Sequence, residues 1–491
     1  MVMKILFIFC FLLFSISTSA QSGTPTDYLS SEFHKGRREA LRKKMPANSV
    51  AVFFANPVRN RANDVDYIYH QDPDFYYLTG YKEPHAVLII FSKEQVGLND
   101  KKYDEVLYVQ EKNERAEMWT GYRLGVEGAI NDLGFETVFN GKEFINNRMD
   151  FTEYEYVLHK PFFDDYRDNK NPADLASLIK AFEEQISINK IQNKNNGLGV
   201  EVEQEIGPTQ MVNIDNESLQ TFMAELRQIK TPEELELLKK AVRISAMGQV
   251  EVMKAMHPGM SETEVQGLHE FIYKKYGSEY EGYPSIVGAG NNGCVLHYIE
   301  NNKTKLEQEL VLMDLGAEYH GYTADVTRTI PANGTFNKEQ RAIYDLVYAA
   351  QEAGIASAIV GNNSSDTHKA GLNIINSGLY KLGIISSIDA PHSYFPHGTS
   401  HHIGLDVHDP NMRGSFQPNM VITVEPGIYI PEGSDCDKKW WGIAVRIEDD
   451  ILITEDGPVN LSAEAPRKAE KIEAMMKKTS VFDELILPEL N

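Results

Sequence analysis

The sequence predicts an α+β protein of two domains: a mixed α/β domain, then a larger domain whose helices flank a mixed sheet. Its 491 residues exceed the size of one ordinary domain. Apolar strand-like runs alternate with helical periods from about 28 to 220, and capped helices accompany strand-like runs from 228 to 475. The composition, 42% hydrophobic and 24% charged, allows each domain to bury a normal core.

Periodicity gives the elements of the first domain. Continuous apolar runs predict buried strands at 50–54, 86–91 and 106–109. An amphipathic helix is predicted because four apolar residues recur at helical spacing: Leu175, Leu178, Ile179 and Phe182. The polar run 189–197 predicts the end of the domain, with a further strand at 198–202.

Capping boxes give the elements of the second domain. In each box a Thr, Ser or Asn is followed three residues later by Glu or Gln, so that the two side chains accept from each other's backbone N–H. The predicted helix starts are at Thr231, Ser261 and Asn337. The residues 283–331 and 420–453 are strand-like, and 478–491 forms a C-terminal tail.

The first twenty residues predict a cleaved secretory signal. Lys4 precedes the apolar run 5–14, and small residues end at Ala20. We therefore expect a secreted or periplasmic protein, and no later run is long and apolar enough to span a bilayer. Cys294 and Cys436 remain after cleavage, and the sequence leaves open whether they pair.

The charge balance excludes one class of partner. With 48 basic and 71 acidic residues the formal charge is −23. Nucleic-acid binding requires a basic face, so no nucleic-acid partner is expected.

Five polar residues of the second domain stand in apolar, strand-like surroundings: Asp314, Asp325, His401, Glu425 and Glu448. Taken singly, each acid is more typical of a turn or a helix cap. If they converge, four carboxylates repel one another and are costly to bury unless cations neutralise them. Two divalent ions would balance them. One imidazole among carboxylates suits manganese, with cobalt or zinc as alternatives.

The segments around these residues resemble a known family. They are 314–316 with 324–329, 397–401, 404–409, 423–427 and 446–450. They resemble the proline-directed peptidases of the pita-bread fold, and among these aminopeptidase P. The stretch 69–80 resembles that family's non-catalytic N-terminal domain, and the resemblance covers about 28–470. It implies a non-catalytic domain at 28–220 and a pita-bread catalytic domain at 228–475.

The resemblance also implies a role for each matching ligand. Asp325 and Glu448 would bridge two metal ions, and Asp314 would complete the shell of one ion. His401 and Glu425 would complete the shell of the other ion. Glu425 would also take a proton from the attacking water and pass it to the departing proline nitrogen.

Further roles are implied around the metals. His297 and His408 would steady the oxyanion, and His397 and Arg446 would line the site that receives proline. His397 is equally compatible with a structural role. Arg446, two residues before Glu448 and expected on the same strand face, is also compatible with a partner that orients the Glu448 carboxylate. Trp119 either reaches a neighbouring subunit's site or simply packs.

The implied activity is metal-dependent cleavage after the first residue of peptides with proline in second position. The family also implies a homo-oligomer, a dimer or tetramer. Prolidase, which cleaves X-Pro dipeptides, is the alternative within the fold. A non-enzymatic binding protein on this fold is an alternative from another class. Such a protein would be indicated by the loss of a metal ligand, and all five ligands are present.

A nicotinamide-dependent oxidoreductase is the distant alternative. It rests on the glycine-rich stretch 288–293, which fits the dinucleotide-binding pattern. That pattern requires a helix opening at its last glycine, whereas 294–299 predicts a continuing strand.

Overall fold

The computed structural model describes residues 25–97, 100–168, 170–187 and 212–483. The first domain contains these helices and strands: α1 (Ser31–Arg42), β1 (Ser49–Phe54), β2 (Asn60–Ala62), β3 (Val65–Asp66), α2 (Pro73–Thr79), β4 (Val87–Val96), β5 (Lys102–Val109), α3 (Glu114–Thr120), α4 (Gly125–Leu133), β6 (Val138–Asn140), α5 (Gly141–Asn146), β7 (Tyr156–Leu158), α6 (Leu175–Ser187), β8 (Ile214–Asp215) and α7 (Ser218–Arg227). The three predicted strands are β1, β4 and β5, and the predicted helix is α6. The further strand predicted at 198–202 lies outside the described residues.

A six-stranded mixed sheet organises this domain, in the order β6-β5-β4-β1-β7-β8. β1, β4 and β5 are antiparallel neighbours, and β6, β7 and β8 pair in parallel at the two sides. Alternate residues of a strand face opposite sides, so Val50 and Val52 enter one core while Ala51 and Phe53 enter the other. Because both faces are buried, β1 is a continuous apolar run.

The second domain contains these elements: α8 (Pro232–Ala255), α9 (Glu262–Lys275), β9 (Tyr280–Glu281), β10 (Ile286–Ala289), β11 (Leu310–Leu315), β12 (Ala317–Tyr319), β13 (Tyr322–Thr323), β14 (Val326–Pro331), α10 (Lys338–Ser357), α11 (Ser364–Lys381), β15 (Val421–Val424), β16 (Gly427–Ile430), β17 (Ile443–Arg446), β18 (Asp449–Thr454), β19 (Gly457–Asn460) and α12 (Ala469–Met475). α8, α9 and α10 each begin with the predicted capping box, at Thr231, Ser261 and Asn337.

Short antiparallel sheets carry the strands of this domain. β11 is the middle strand of β10-β11-β14, and β18 is the middle strand of β15-β18-β19. β16 pairs with β17. α8 packs on β12, β13 and β14, while α10 packs on β15, β16 and β17. The sheets therefore lie between two groups of helices, and their strand ends meet inside the domain.

A strap at residues 27–28 fastens the start of the described chain to the second domain. Lys240 Nζ donates to Asp27 at 2.6 Å, and the His320 ring lies 2.9 Å from the same carboxylate. Tyr28 stacks on His320 with ring centroids 3.6 Å apart. The hydrophobic core is also continuous across the domains, because Phe75 and Leu238 belong to one buried cluster.

The strand predicted at 294–299 is wrong. A 3₁₀ turn, Gly290–Cys294, is followed by a loop. The backbone turns back so closely that a Cβ on Gly288 would lie 2.7 Å from Gly293 Cα. The chain therefore does not continue straight from β10. The loop is held instead by the buried Glu262 carboxylate, which accepts from the backbone N–H of Lys303 at 2.8 Å. The helix required by the dinucleotide pattern is likewise not found there.

Two other expectations concern the ends of the chain and the thiols. The predicted signal at 1–20 lies outside the described residues, as does the tail after residue 483. Among the helices that the structure describes, none combines the length and apolarity needed to cross a membrane. Cys294 and Cys436 are both free thiols.

Candidate metal centre

The predicted site residues line one cavity of about 610 Å³ in the second domain. It contains Asp314, Asp325, His401, Glu425 and Glu448, together with His297, His397, His408 and Arg446. The structure thus brings together every residue that the sequence singled out for metal, oxyanion and proline binding. Trp119, considered for a neighbouring subunit's site, lies on α3 with 83% of its surface exposed and does not line this cavity.

Strand ends deliver the acids to the cavity. Asp314 lies on β11 opposite Thr327 of β14, and Asp325 immediately precedes β14. Glu425 follows β15. Glu448 occupies the break between β17 and β18, where its N–H donates to Thr327 O at 3.1 Å and its carboxylate accepts from Thr327 Oγ1 at 2.6 Å. The predicted continuous strand through Glu448 is therefore interrupted, although Glu448 still faces the cavity.

Three of the five candidate ligands already lie at metal-binding separation. One ligand atom from each of Asp325, His401 and Glu448 falls within 4.8 Å of the others. Glu425 borders this group, with Oε1 3.7 Å from His401 Nε2. Asp314 is joined to Asp325 through Tyr283, whose hydroxyl lies 2.7 Å from Asp314 Oδ1 and 2.5 Å from Asp325 Oδ1.

The orientation of His401 suits a metal ligand. Its Nδ1 lies 3.1 Å from His402 O, and since a carbonyl only accepts, Nδ1 carries the proton. Nε2 is then free to face the carboxylates of Asp325, at 3.5 Å, and Glu425. Burial alone would lower the pKa of His401, but Asp325 and Glu425 raise it to about 9. The ring therefore experiences strongly negative surroundings.

Mutual repulsion marks the acids as a cation site. Burial, and then neighbouring carboxylates, raise the pKa of Asp325 and hold that of Glu448 well above its usual range. Burial likewise raises the pKa of Glu425 to about 7, despite the favourable charge of His401. Arg446 is the single guanidinium among the lining residues. Four carboxylates and one imidazole fit two divalent cations with oxygen and nitrogen ligands.

Arg446 orients Asp314. Its Nη2 donates to Asp314 Oδ2 at 2.5 Å, and only 4% of its side chain is exposed. Although burial opposes it, the guanidinium and the Tyr283 hydroxyl hold the pKa of Asp314 below its usual value. The alternative role considered for Arg446 is a partner that orients Glu448; the guanidinium binds Asp314 of β11 instead, so it aims a different carboxylate from the expected one.

A hydrogen-bonded chain connects Arg446 to His397. Arg446 Nη1 donates to the Tyr429 hydroxyl at 2.7 Å, which in turn lies 2.8 Å from His397 Nε2. His397 Nδ1 donates to Gly398 O, so Nε2 accepts from Tyr429. Burial, and then the charge of Arg446, lower the pKa of His397 to about 4. At pH 7 His397 therefore lines the cavity as a neutral imidazole.

His297 and His408 lie at the mouth of the cavity with exposed side chains. His408 stacks on His401 with ring centroids 4.0 Å apart. Partial burial, and then the charges of the nearby His401 and His297, lower the pKa of His408 to about 4. A neutral imidazole can donate one hydrogen bond to an oxygen that gains charge.

Two tyrosines and a threonine were missed by the sequence interpretation: Tyr283, Tyr429 and Thr327. Tyr283 contacts both Asp314 and Asp325, and Tyr429 connects Arg446 to His397. Their sequence signal is weak, because a tyrosine or threonine next to a strand is ordinary. Only their positions beside charged residues in the fold identify them.

Two regions of the chain match described protein families. Residues 236–455 match metallopeptidase family M24, and residues 34–154 match the aminopeptidase P N-terminal domain. The two matches fall inside the two domains predicted at 228–475 and 28–220.

Relatives that match nearly the whole chain belong to the same kind of protein. The Xaa-Pro aminopeptidase of Escherichia coli K12 is 35% identical over 457 residues, covering 91% of this chain and 97% of that protein. Human Xaa-Pro aminopeptidase 3 is 32% identical over 451 residues, covering 88% and 82%. Aminopeptidase P of E. coli, solved with the inhibitor Pro-Leu, has a TM-score of 0.78 at 34% identity, covering 91% of this chain and 98% of that one. With this identity sustained across both domains, the chain belongs to metallopeptidase family M24, among the aminopeptidase P proteins.

Proposed function

We propose that the protein is a dinuclear metallopeptidase that releases the first residue from peptides with proline in second position. The observation that carries this proposal is the convergence of four carboxylates and His401 in one cavity of a chain whose relatives are named Xaa-Pro aminopeptidases. The proposed ligands are Asp314, Asp325, His401, Glu425 and Glu448. Manganese is the preferred metal, with cobalt or zinc as alternatives.

The residues around the metals divide the work of cleavage. Bound divalent ions would supply Lewis acidity and a strong nucleophile from water at neutral pH. Glu425, whose side chain is 17% exposed, takes a proton from the attacking water on a carboxylate oxygen. It delivers this proton to the proline nitrogen as the bond between that nitrogen and the carbonyl carbon of the first residue breaks. His297 and His408 donate to the carbonyl oxygen of the first residue as it gains charge.

The choice between aminopeptidase P and prolidase depends on the far end of the cavity. A prolidase must bind the C-terminal carboxylate of a dipeptide, and an arginine fork is suited to that task. The fork of Arg446 is already engaged by Asp314 and Tyr429, and its Nη2 also points at Leu296 O from 3.4 Å. This occupancy favours the aminopeptidase.

The deciding assay compares an X-Pro dipeptide with the matched X-Pro-Y tripeptide in the presence of Mn²⁺. We expect a higher kcat/KM for the tripeptide, with only the first residue released. A higher kcat/KM for the dipeptide would make the protein a prolidase instead.

Export and assembly complete the proposal. Residues 1–20 are proposed to direct secretion or transfer to a periplasm and then to be removed. N-terminal sequencing of the exported protein should begin after Ala20.

We also propose a homo-oligomer, because Trp119 and Tyr122 leave 83% and 96% of their surfaces exposed, which is unusual for large aromatic side chains. Light scattering that gives a dimer or tetramer mass would support it, whereas a monomer mass would refute it.

A further inference from the structure

Arg227 lies buried where the two domains meet. It is the last residue of α7, and 3% of its side chain is exposed. Its Nη1 donates to Asp74 Oδ1 of α2 at 2.7 Å. Its Nη2 donates to Asp406 at 2.8 Å and to Asp409 at 2.5 Å. One guanidinium thus connects the first domain with the turn 404–409 of the second.

Two lysines complete this ion cluster. Lys230 Nζ donates to Asp409 Oδ2 at 2.7 Å and to Arg227 O at 2.6 Å. Lys160 of the first domain pairs with Asp74. The three cations face three carboxylates. Asp74 and Asp409 are almost fully buried, whereas Asp406 is partly exposed, so removal of Arg227 leaves uncompensated buried charge at Asp74 and Asp409.

Asp409 fixes the backbone of the turn. Its N–H donates to His402 O at 2.9 Å, and its Oδ1 accepts from the N–H of Asp406 at 3.2 Å. The approach is so close that a Cβ on Gly404 would lie 2.7 Å from Asp409 Oδ2 and 2.8 Å from Lys230 Nζ. The path of the turn is therefore determined by where Arg227 and Lys230 hold the Asp409 carboxylate.

His408 immediately precedes Asp409 and is the residue of this turn that stacks on His401 at the candidate metal centre. We propose that Arg227 is a positioning residue, which holds Asp409 and thereby fixes the His408 imidazole over the metal centre. The first domain takes part through Asp74, so it contributes to the geometry of catalysis. This inference rests on the proposed function, in which His408 donates to the developing oxyanion.

The first test measures the turn without any assay of activity. Hydrogen exchange of the full-length protein is compared for R227M and for R38M. Arg38 is a matched control because its side chain is fully buried and forks onto Glu105, in the first domain and away from the cavity. We expect faster exchange in the peptide 402–409 for R227M only. Unchanged protection in R227M, or equal loss in R38M, would overturn the proposal.

The second test asks whether Arg227 acts through His408. On an X-Pro-Y tripeptide we expect R227M to lower kcat about 10- to 100-fold, since small displacements near the reacting atoms have effects of this size. KM should change less than about threefold, because the oxyanion contact is made in the transition state. In the H408A background, R227M should produce no further loss of kcat, whereas a full additional loss would overturn the proposal.

Two results separate this proposal from the function on which it rests. If H408A itself leaves kcat unchanged, the role proposed for His408 fails, and the catalytic part of this inference fails with it. The exchange experiment still decides whether Arg227 holds the turn 404–409. R227K keeps the charge but cannot bond the two domains as a fork. It should give intermediate exchange and kcat, and it replaces R227M if that variant does not fold; wild-type values in R227K would overturn the need for the fork.

Discussion

At the scale of single residues, the acids of the cavity differ in how firmly neighbouring side chains hold them. Asp314 is fixed by Arg446 and Tyr283. Among the described residues, the Glu425 carboxylate has no such hydrogen-bond partner and faces His401 and His397 at 3.6–3.7 Å. A carboxylate free of strong hydrogen bonds can turn between metal, water and substrate. This difference supports the proposed role of Glu425 in proton transfer.

Glu425→Gln should lower turnover about 10²-fold or more, because it keeps the size of the side chain but removes the proton acceptor and one anionic ligand. kcat and metal content are measured together, with E464Q as a control at a half-exposed site. Unchanged kcat with a raised KM would show that Glu425 is not the proton carrier.

His269 provides a pH probe away from the site. It is fully buried in α9, and neither ring nitrogen has a hydrogen-bond partner among the described residues. Burial lowers its pKa from 6.5 to about 3. Between these two pH values the unfolded chain therefore binds a proton at His269 and the folded protein does not. The neutral ring's contribution to stability is thus full above pH 6.5 and is lost as pH falls toward 3.

Replacing His269 by Leu removes this titration. The wild-type free energy of unfolding minus that of the variant should fall by about 1.4 kcal/mol per pH unit below pH 6.5. Denaturation curves at several pH values between 5 and 8 measure this difference. A constant difference would mean that His269 protonates equally in both states.

At the scale of elements, one helix start controls a loop of the cavity. Glu262, at the beginning of α9, accepts from Ala289 N, Asn292 Nδ2, Tyr298 Oη and Lys303 N at 2.7 to 3.0 Å. Within the described part of the chain it has no salt bridge. These bonds shape the loop that carries His297.

Glu262→Gln should cost about 2 kcal/mol of stability, since the amide nitrogen would face donors and leave buried groups unpaired. It should also lower kcat by displacing His297. E264Q is the matched control, because Gln at Glu264 preserves the capping box on the same helix. Equal denaturation midpoints for E262Q and E264Q would contradict this account.

What the sequence predicts about these elements depends on the range of the interaction involved. The starts at Thr231, Ser261 and Asn337 follow from residues three apart, and the acids of the cavity are visible because charge is rare inside apolar strands. The loop 294–299 could not be predicted, because Glu262, more than thirty residues earlier in the chain, holds it through the Tyr298 hydroxyl. Arg227 gave no signal, since its partners Asp74 and Asp409 are 153 and 182 residues away.

At the scale of the whole molecule, the fold concentrates charge that the chain alone cannot neutralise. Four candidate ligands are carboxylates, and Asp450 adds a further buried acid whose Oδ2 accepts from Asp325 N at 3.1 Å. Repulsion among these groups opposes folding, and bound cations relieve it.

Removal of divalent metal should therefore abolish activity and lower Tm, because ions that bind only the folded state stabilise it. Mn²⁺ should restore both, with Co²⁺ and Zn²⁺ compared in parallel. Metal analysis of the active protein should give about two equivalents per chain. Full activity with about one equivalent or none would contradict a two-metal mechanism.

The strap at residues 27–28 has a consequence for how the polypeptide emerges from the ribosome. Asp27 and its partner His320 are 293 residues apart in the chain. At about 5 to 20 residues per second, about 15 to 60 s pass between the synthesis of one and of the other. Until then the leading segment can contact only the first domain, where Lys82 Nζ lies 3.6 Å from the Tyr28 ring centroid, and it closes onto the second domain only when β12 and β13 are available. Nascent chains stalled before residue 320 should leave Tyr28 open to proteolysis, and chains stalled well beyond it should protect the same site.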